Sequence, residues 1–242
     1  MLRPNHLHPP FNNKKARQAL LHMMDQVTYL HWAIGQPKYY QPCHSIFACR
    51  GPYATHAGAE PMTKPNLDLA RQLVKESGYD GRPIVILHVT DISHQNGAAV
   101  VTRRRLESIG FNVDDQAMDW STNLMMRASK EPPSRGGWNI MHSWIDAVDV
   151  MDPVVNPPLS GAGAGAWFGW PDIPQIEKLR IDWVRATDQA KRKQVADEIQ
   201  KVALGEVAYV PWGEWLMPTA FRKNVHGILK FNAPLFWHVQ NA

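Results

Sequence analysis

No stretch of this 242-residue chain approaches the roughly 18 consecutive apolar residues that cross a bilayer. The amino terminus lacks a secretion signal: Met1-Leu-Arg-Pro-Asn-His runs into prolines instead of an apolar core. Taken alone, that absence points to the cytoplasm; it carries no weight if the chain is part of a longer precursor. Charge is modest, with 20% Asp, Glu, Lys and Arg and a formal net charge of +4. The basic residues are scattered apart from Arg103-Arg104-Arg105, and none of the interleaved basic and aromatic patterns of nucleic-acid modules occurs. That triplet reads as a solvated helix face, and nucleic acid is not an expected partner. The motifs G-x-S-x-G, H-E-x-x-H and S-x-x-K are all missing, which removes the commonest serine and zinc hydrolase signatures. His6-x-His8 is too sparse to hold a metal. Gly161-Ala-Gly-Ala-Gly165 lacks both the spacing and the following lysine of a phosphate loop, so no cofactor or metal is expected.

What is present is organised around residues 66–119, which read as helix, strand, helix, strand. Leu69, Leu73 and Val74 share one face of the first helix, and Gly78 follows where a left-handed cap belongs. Residues 83–89 form an almost unbroken apolar, β-branched run, the pattern of a strand covered on both faces. A helix over 95–109 places Ala98, Val101, Leu106 and Ile109 inward and stops at Gly110. Residues 111–119 read as a partly exposed strand. Strand, crossover helix and strand make a parallel pair and predict an α/β fold, which alone says nothing of function.

Before this unit lie a proline-rich extended lead-in (2–11), a helix capped by Asn12 or Asn13 and running to about 24, and a short helix over 28–34. Residues 36–65 hold five prolines and read as a long ordered loop, of the kind that forms functional surfaces or interdomain packing. After the unit come a helix over 121–130 and a strand over 138–145. Residues 157–172 read as a flexible glycine-rich loop ending in aromatics. Helices over 173–186 and 188–207 follow, then an extended stretch over 209–220 and an apolar tail over 225–239.

The two cysteines, Cys43 and Cys49, sit in the long loop at C-x5-C spacing. This is not the C-x2-C of zinc or thioredoxin-type sites, and it suits a local disulfide in an oxidising compartment. Two unrelated buried thiols are the alternative. The ten tryptophans are many for this length. Several, including Trp167 and Trp170, lie in loops beside Gly or Pro, where they serve as ligand-contact surface or as caps on the core edge. Asp146, Asp149 and Asp152 lie beyond the carboxyl end of the 138–145 strand, where α/β folds place ligands. With Trp144 as an apolar or cation–π wall, Asp146 or Asp149 suits a ligand ammonium. The alternatives are that the three aspartates only turn the chain, or that they serve a carboxylate-dependent hydrolase.

Several segments resemble the family 5 extracellular solute-binding proteins, the peptide/nickel-type binding components of ABC importers. Residues 2–20, the 65–81 helix with its Gly78-Tyr-Asp-Gly81 turn, the 105–113 helix-to-strand junction, Val210-Pro-Trp-Gly-Glu-Trp215 and 220–227 are similar to that family in the same order. The resemblance implies a type II periplasmic binding fold of two hinged lobes, with a mixed, mostly parallel sheet flanked by helices. It implies that this chain is the carboxy-terminal half: a ligand-binding lobe over 1–208 and a return segment over 209–242 that packs on the missing first lobe. It implies a non-enzymatic periplasmic or membrane-tethered protein that binds a small peptide or amine-bearing solute and delivers it to a membrane permease. In peptide-binding relatives an aspartate shortly after a strand-end tryptophan receives the ligand's α-amino group; Trp144 matches that tryptophan, and Asp146 or Asp149 takes the aspartate's role. Cut from its partner lobe, the return segment is expected to expose Trp212, Trp215 and Phe221 and to self-associate or lose order.

Overall fold

A computed structural model of the chain describes residues 1–229, 231 and 235–241. The central sheet has four strands in the order β1 (Leu2–Pro4), β5 (Ile140–His142), β3 (Ile84–Val89) and β4 (Val113–Met118). Strand β3 runs parallel to both β4 and β5, and β1 runs antiparallel to β5. The proline-rich lead-in is therefore an edge strand, the position that Pro4 tolerates. The numbering leaves β2 (Tyr40–Gln41) and β6 (Glu214–Trp215), a separate antiparallel pair, and the short β7 (Val225–His226) and β8 (Gln240–Asn241).

Every residue of β3 is buried, and its alternating side chains enter two different cores. Ile84 and Ile86 join the large cluster built by the helices. Val85 and Leu87 join a smaller one with Trp138, Met141 and Trp170. Period-two alternation with apolar cover on both sides is what the unbroken apolar run required. Helix α5 (Ser93–Ser108) is the crossover between β3 and β4; Ala98, Val101, Leu106 and the following Ile109 are all buried. It packs on α2 (Gln26–Ile34) so closely that a Cβ on Gly97 would lie 2.4 Å from the Trp32 carbonyl oxygen. Helix α1 (Lys14–Met23), capped by Asn13, buries Ala16, Ala19, Leu20 and Met23. Helix α4 (Leu67–Glu76), capped by Asn66, ends at Gly78 with φ +74°. A single turn, α3 (Glu60–Thr63), interrupts the long loop; α6 (Trp120–Met126) is shorter than the 121–130 pattern suggested. Helices α7 (Pro174–Arg185) and α8 (Gln189–Glu206) close the large core, α8 with the Asp188 cap.

Three expectations change. Strand β5 spans three residues rather than 138–145, because only these pair with β1 and β3. Residues 157–172 are pinned rather than flexible. The buried Arg3 guanidinium donates to the carbonyls of Pro158 at 2.7 Å, Trp167 at 3.2 Å, Phe168 at 2.5 Å and Ala208 at 2.9 Å, and Ala162 bridges to Asp172. Burial without a carboxylate partner lowers the Arg3 pKa to about 9. Finally, the expected exposure of Trp212 is not seen. Val210 bridges Leu2, Trp212 is 0% exposed and β6 pairs with β2. Exposure begins at Leu216 and continues through Met217, Phe221, Phe236 at 78% and Trp237 at 70%. Part of the expected 225–239 tail, residues 230 and 232–234, lies outside the described residues.

Candidate ligand-binding site

The chain leaves β3 toward β4 on one side, while β5 lies on the other side of β3. Loops from the carboxyl ends of β3 and β5 therefore diverge and open a crevice, the usual ligand position of parallel sheets. Ser143, Trp144, Ile145 and Asp146 follow β5 there, and Ser93, His94 and Gln95 open α5 beside them. A ladder of rings lines this end. Trp120 lies 4.9 Å from Trp144; His94 meets Trp144 edge-on at 4.9 Å and Trp215 at 5.3 Å; Trp215 stacks on Trp212 at 4.6 Å with planes 4° apart. Burial holds the His94 pKa below its usual value, so the ladder is uncharged at neutral pH.

Two of these rings, Trp144 and Trp215, line a half-open cavity of about 710 Å³. One wall is Trp144, Ile145, Asp146, Ala147 and Val150. A second wall is Tyr39, Tyr40 and Gln41 with residues 213–218 and Phe231, and the floor is Cys43, Ser45, Ile46, Phe47 and Ala48. The floor is rigidly held. Cys43 and Cys49 form a disulfide with Cα atoms 6.0 Å apart. The buried Gln26 amide accepts from Cys43 N–H at 2.6 Å and donates to the Cys43 and Pro211 carbonyls. Buried Gln200 accepts from Ser45 Oγ and Ile46 N–H and donates to the Thr55 and Ala57 carbonyls. The Tyr209 hydroxyl donates to the Ile46 carbonyl at 3.0 Å, and its burial pushes its pKa up to about 12. Ala48 N–H donates to the Val150 carbonyl at 3.0 Å, tying floor to wall. Such a network pre-forms the surface a ligand meets.

The second wall depends on Gly213. Its φ is +123°, and a Cβ there would come within 2.6 Å of Leu30, so only glycine lets Trp212 enter the core while Glu214 and Trp215 face the cavity. Glu214 accepts from Cys49 N–H at 2.6 Å and from Gln41 Nε2 at 3.0 Å.

Of the residues singled out in the sequence, Trp144 and Asp146 line this cavity. Asp149 is exposed on the turn Ala147–Val150, outside the lining. Asp152 accepts from Val154 and Val155 N–H, which is a turn-capping role. Among the described residues, the three carboxylates do not form a group whose oxygens all lie within 4.8 Å of one another. Trp167 and Trp170 are elsewhere. Trp170, 5% exposed, packs 6.0 Å from Trp138 in the small core, and Trp167 lies beneath the Arg3 guanidinium at 5.4 Å. Trp170 borders a separate cavity of about 350 Å³ with His6, Lys130 and Asp172. Tyr39, Tyr40, Gln41 and Glu214 were not anticipated, although the proline-rich loop and the Trp-Gly-Glu-Trp stretch carried the signal.

Residues 1–166 match the family model of bacterial extracellular solute-binding proteins, family 5, middle region. The chain belongs to this family. Over its whole length it is 36% identical to a probable peptide ABC transporter periplasmic-binding protein of Sinorhizobium fredii, of which it spans 46%. Among solved structures of this family's fold, a Pseudoalteromonas dipeptide-binding protein in complex with Met-Leu matches 100% of the chain with 48% of its own length, at TM-score 0.74 and 20% identity. Haemophilus influenzae OppA in complex with the peptide RPPGFSPFR matches 93% with 44% of its length, at TM-score 0.73 and 17% identity. The family 5 chain described here thus spans about half the length of the relatives it matches, and its architecture is that of one lobe of a type II periplasmic binding protein.

Proposed function

We propose that this lobe forms half of the ligand cleft of an ABC-importer substrate-binding protein, which takes a small peptide or related amine-bearing solute in the periplasm and hands it to a membrane permease. The observation that carries this reading is the half-open cavity beyond the carboxyl end of β5, with Trp144 and Asp146 in its lining. Asp146 is the counter-ion for a ligand ammonium, and Trp144 is the apolar face beside it. No step of bond-making is needed: the protein binds and releases. Names of the relatives support the peptide class, the fold supports closure by a second lobe, and the family supports the periplasmic location.

The lobe itself comprises residues 1–215, and the segment from 216 onward is the part that meets the other lobe. Exposed Leu216, Met217, Phe221, Phe231, Phe236 and Trp237 are the supporting observation, since so many large apolar side chains in one segment mark a surface made to be covered. By the same argument the chain in isolation self-associates through this segment. Sedimentation velocity checks that: a concentration-dependent shift is expected, and a strict monomer contradicts it. Native mass spectrometry of this chain beside a form carrying the other lobe tests the main reading. A small co-purifying mass on the longer form alone supports the two-lobe cleft; retention by the short chain means that the site is complete without a partner lobe.

A further inference from the structure

Glu214 is an unbalanced charge. Both its oxygens are anchored by neutral donors, Cys49 N–H and the Gln41 amide, and no lysine, arginine or histidine among the described residues lies within ion-pair distance. It is partly buried in the wall of the 710 Å³ cavity, next to the stacked Trp212 and Trp215 rings. The two cations that line the same cavity, Lys38 and Arg50, are exposed, and Lys38 is held 4.7 Å over the Tyr39 ring. A carboxylate taken partly out of water without a partner is costly, and the fold supports it here at two points. Each oxygen still has accepting capacity after its one anchoring bond.

A metal does not explain the arrangement. Cys43 Sγ, Cys49 Sγ and a Glu214 oxygen lie within 4.8 Å of one another, but the two sulfurs are joined and carry no thiolate charge. One carboxylate remains, on the lining of the cavity.

We propose that Glu214 selects ligands that carry a second positive group, an ammonium or guanidinium beyond the one at Asp146. This deepens the binding reading and rests on it: the substrate class becomes cationic peptides or diamine-like solutes, with the ligand carboxylate directed toward Lys38 and Arg50 at the rim. Glu214 is a specificity residue, while Asp146 serves every amine-bearing ligand alike.

The test uses the two-lobed protein and tripeptides of alanine in which one position, scanned through all three, is lysine or norleucine, and arginine or citrulline. Each pair differs in charge at nearly equal shape. Calorimetry on the unaltered protein is expected to give the charged member a roughly ten- to hundredfold lower Kd in at least one position, the range of a charge-assisted hydrogen bond. In Glu214→Gln, which retains an acceptor for Cys49 N–H, that ratio collapses toward one. Absence of a charge preference in the unaltered protein overturns the proposal without needing the variant, and so does a preference that survives Glu214→Gln. In either case the binding reading stands as long as neutral peptides bind. If no tripeptide of the panel binds, both fall. Tight binding of Zn²⁺ alone, lost in Glu214→Gln, overturns the proposal in favour of a metal.

Discussion

Trp138 with Trp170 and Trp144 with Trp215 are two tryptophan pairs on opposite sides of the same question. The first pair fills the small core behind β3; the second lines a cavity at the end of the sheet. Nothing intrinsic separates them: Trp138 and Trp170 each follow a glycine, as Trp144 follows a serine and Trp215 a glutamate. What differs is cover. Arg3 pins the 157–172 loop that carries Trp170, whereas Trp144 and Trp215 line a half-open cavity together with Leu216, Met217, Pro218 and Phe231. On the proposed reading, one pair serves stability and the other recognition.

The largest effect expected from that contrast is on folding. Trp138→Ala removes a fully buried ring and lowers stability by about 3–5 kcal/mol in a denaturant titration. Trp144→Ala, half-buried at the cavity, costs less stability and weakens ligand binding. If the two variants behaved alike in both assays, the division between the pairs would be wrong.

Acid sharpens the same boundary. Burial first, aided for His6 by Arg17 and Arg3 and for His142 by the amino-terminal ammonium and His88, holds both histidines well below the usual range. They are neutral in the fold, while in the unfolded chain they gain protons near pH 6.5. Stability from this source is therefore constant above about pH 7 and falls as pH drops through 6.5. The limiting slope is about 1.4 kcal/mol per pH unit for each histidine. Melting temperatures measured from pH 8 to 5 read this directly; a flat profile contradicts the burial assigned to them.

Replacing both Cys43 and Cys49 with alanine removes a short staple and is expected to cost about 2 kcal/mol on the loop-entropy account. Because that staple holds the cavity floor, faster backbone hydrogen exchange should appear at residues 43–51 and not around Trp170. Smallest is Asp146→Ala in the two-lobed protein. Stability is expected to shift by less than about 0.5 kcal/mol, since Asp146 is exposed. Affinity for amine-bearing ligands should fall roughly tenfold, or about 1.4 kcal/mol. Unchanged affinity removes Asp146 from the site.

Much of the scaffold was legible in the sequence. The β3 run and the α4 and α5 faces are local patterns, and their caps and terminating glycines are local too. Asn13, one of the two residues read as the α1 cap, and Gly78 sit where those patterns placed them. The errors arose where the answer depends on distant residues. Strand β5 is short because its partners offer only three residues to pair with. The glycine-rich loop looked mobile because its anchor, Arg3, is more than 150 residues away. Trp212 looked exposed because its stacking partner, its neighbours in the core and the glycine that turns it inward belong to three-dimensional packing. Half of the proposed site, Trp144 and Asp146, lies where the end of a strand suggested. The other half comes from β2 meeting β6, a pairing of two residues with two that no periodicity announces.

The most direct measurement is hydrogen exchange of the two-lobed protein, read by mass spectrometry with and without a low-mass peptide digest. The account predicts slowed exchange at 39–41, 46–51, 144–150 and 213–216, and no change at 163–172. Slowing at His6, Lys130 and 163–172 instead would move the site to the smaller cavity and contradict the division between the two tryptophan pairs.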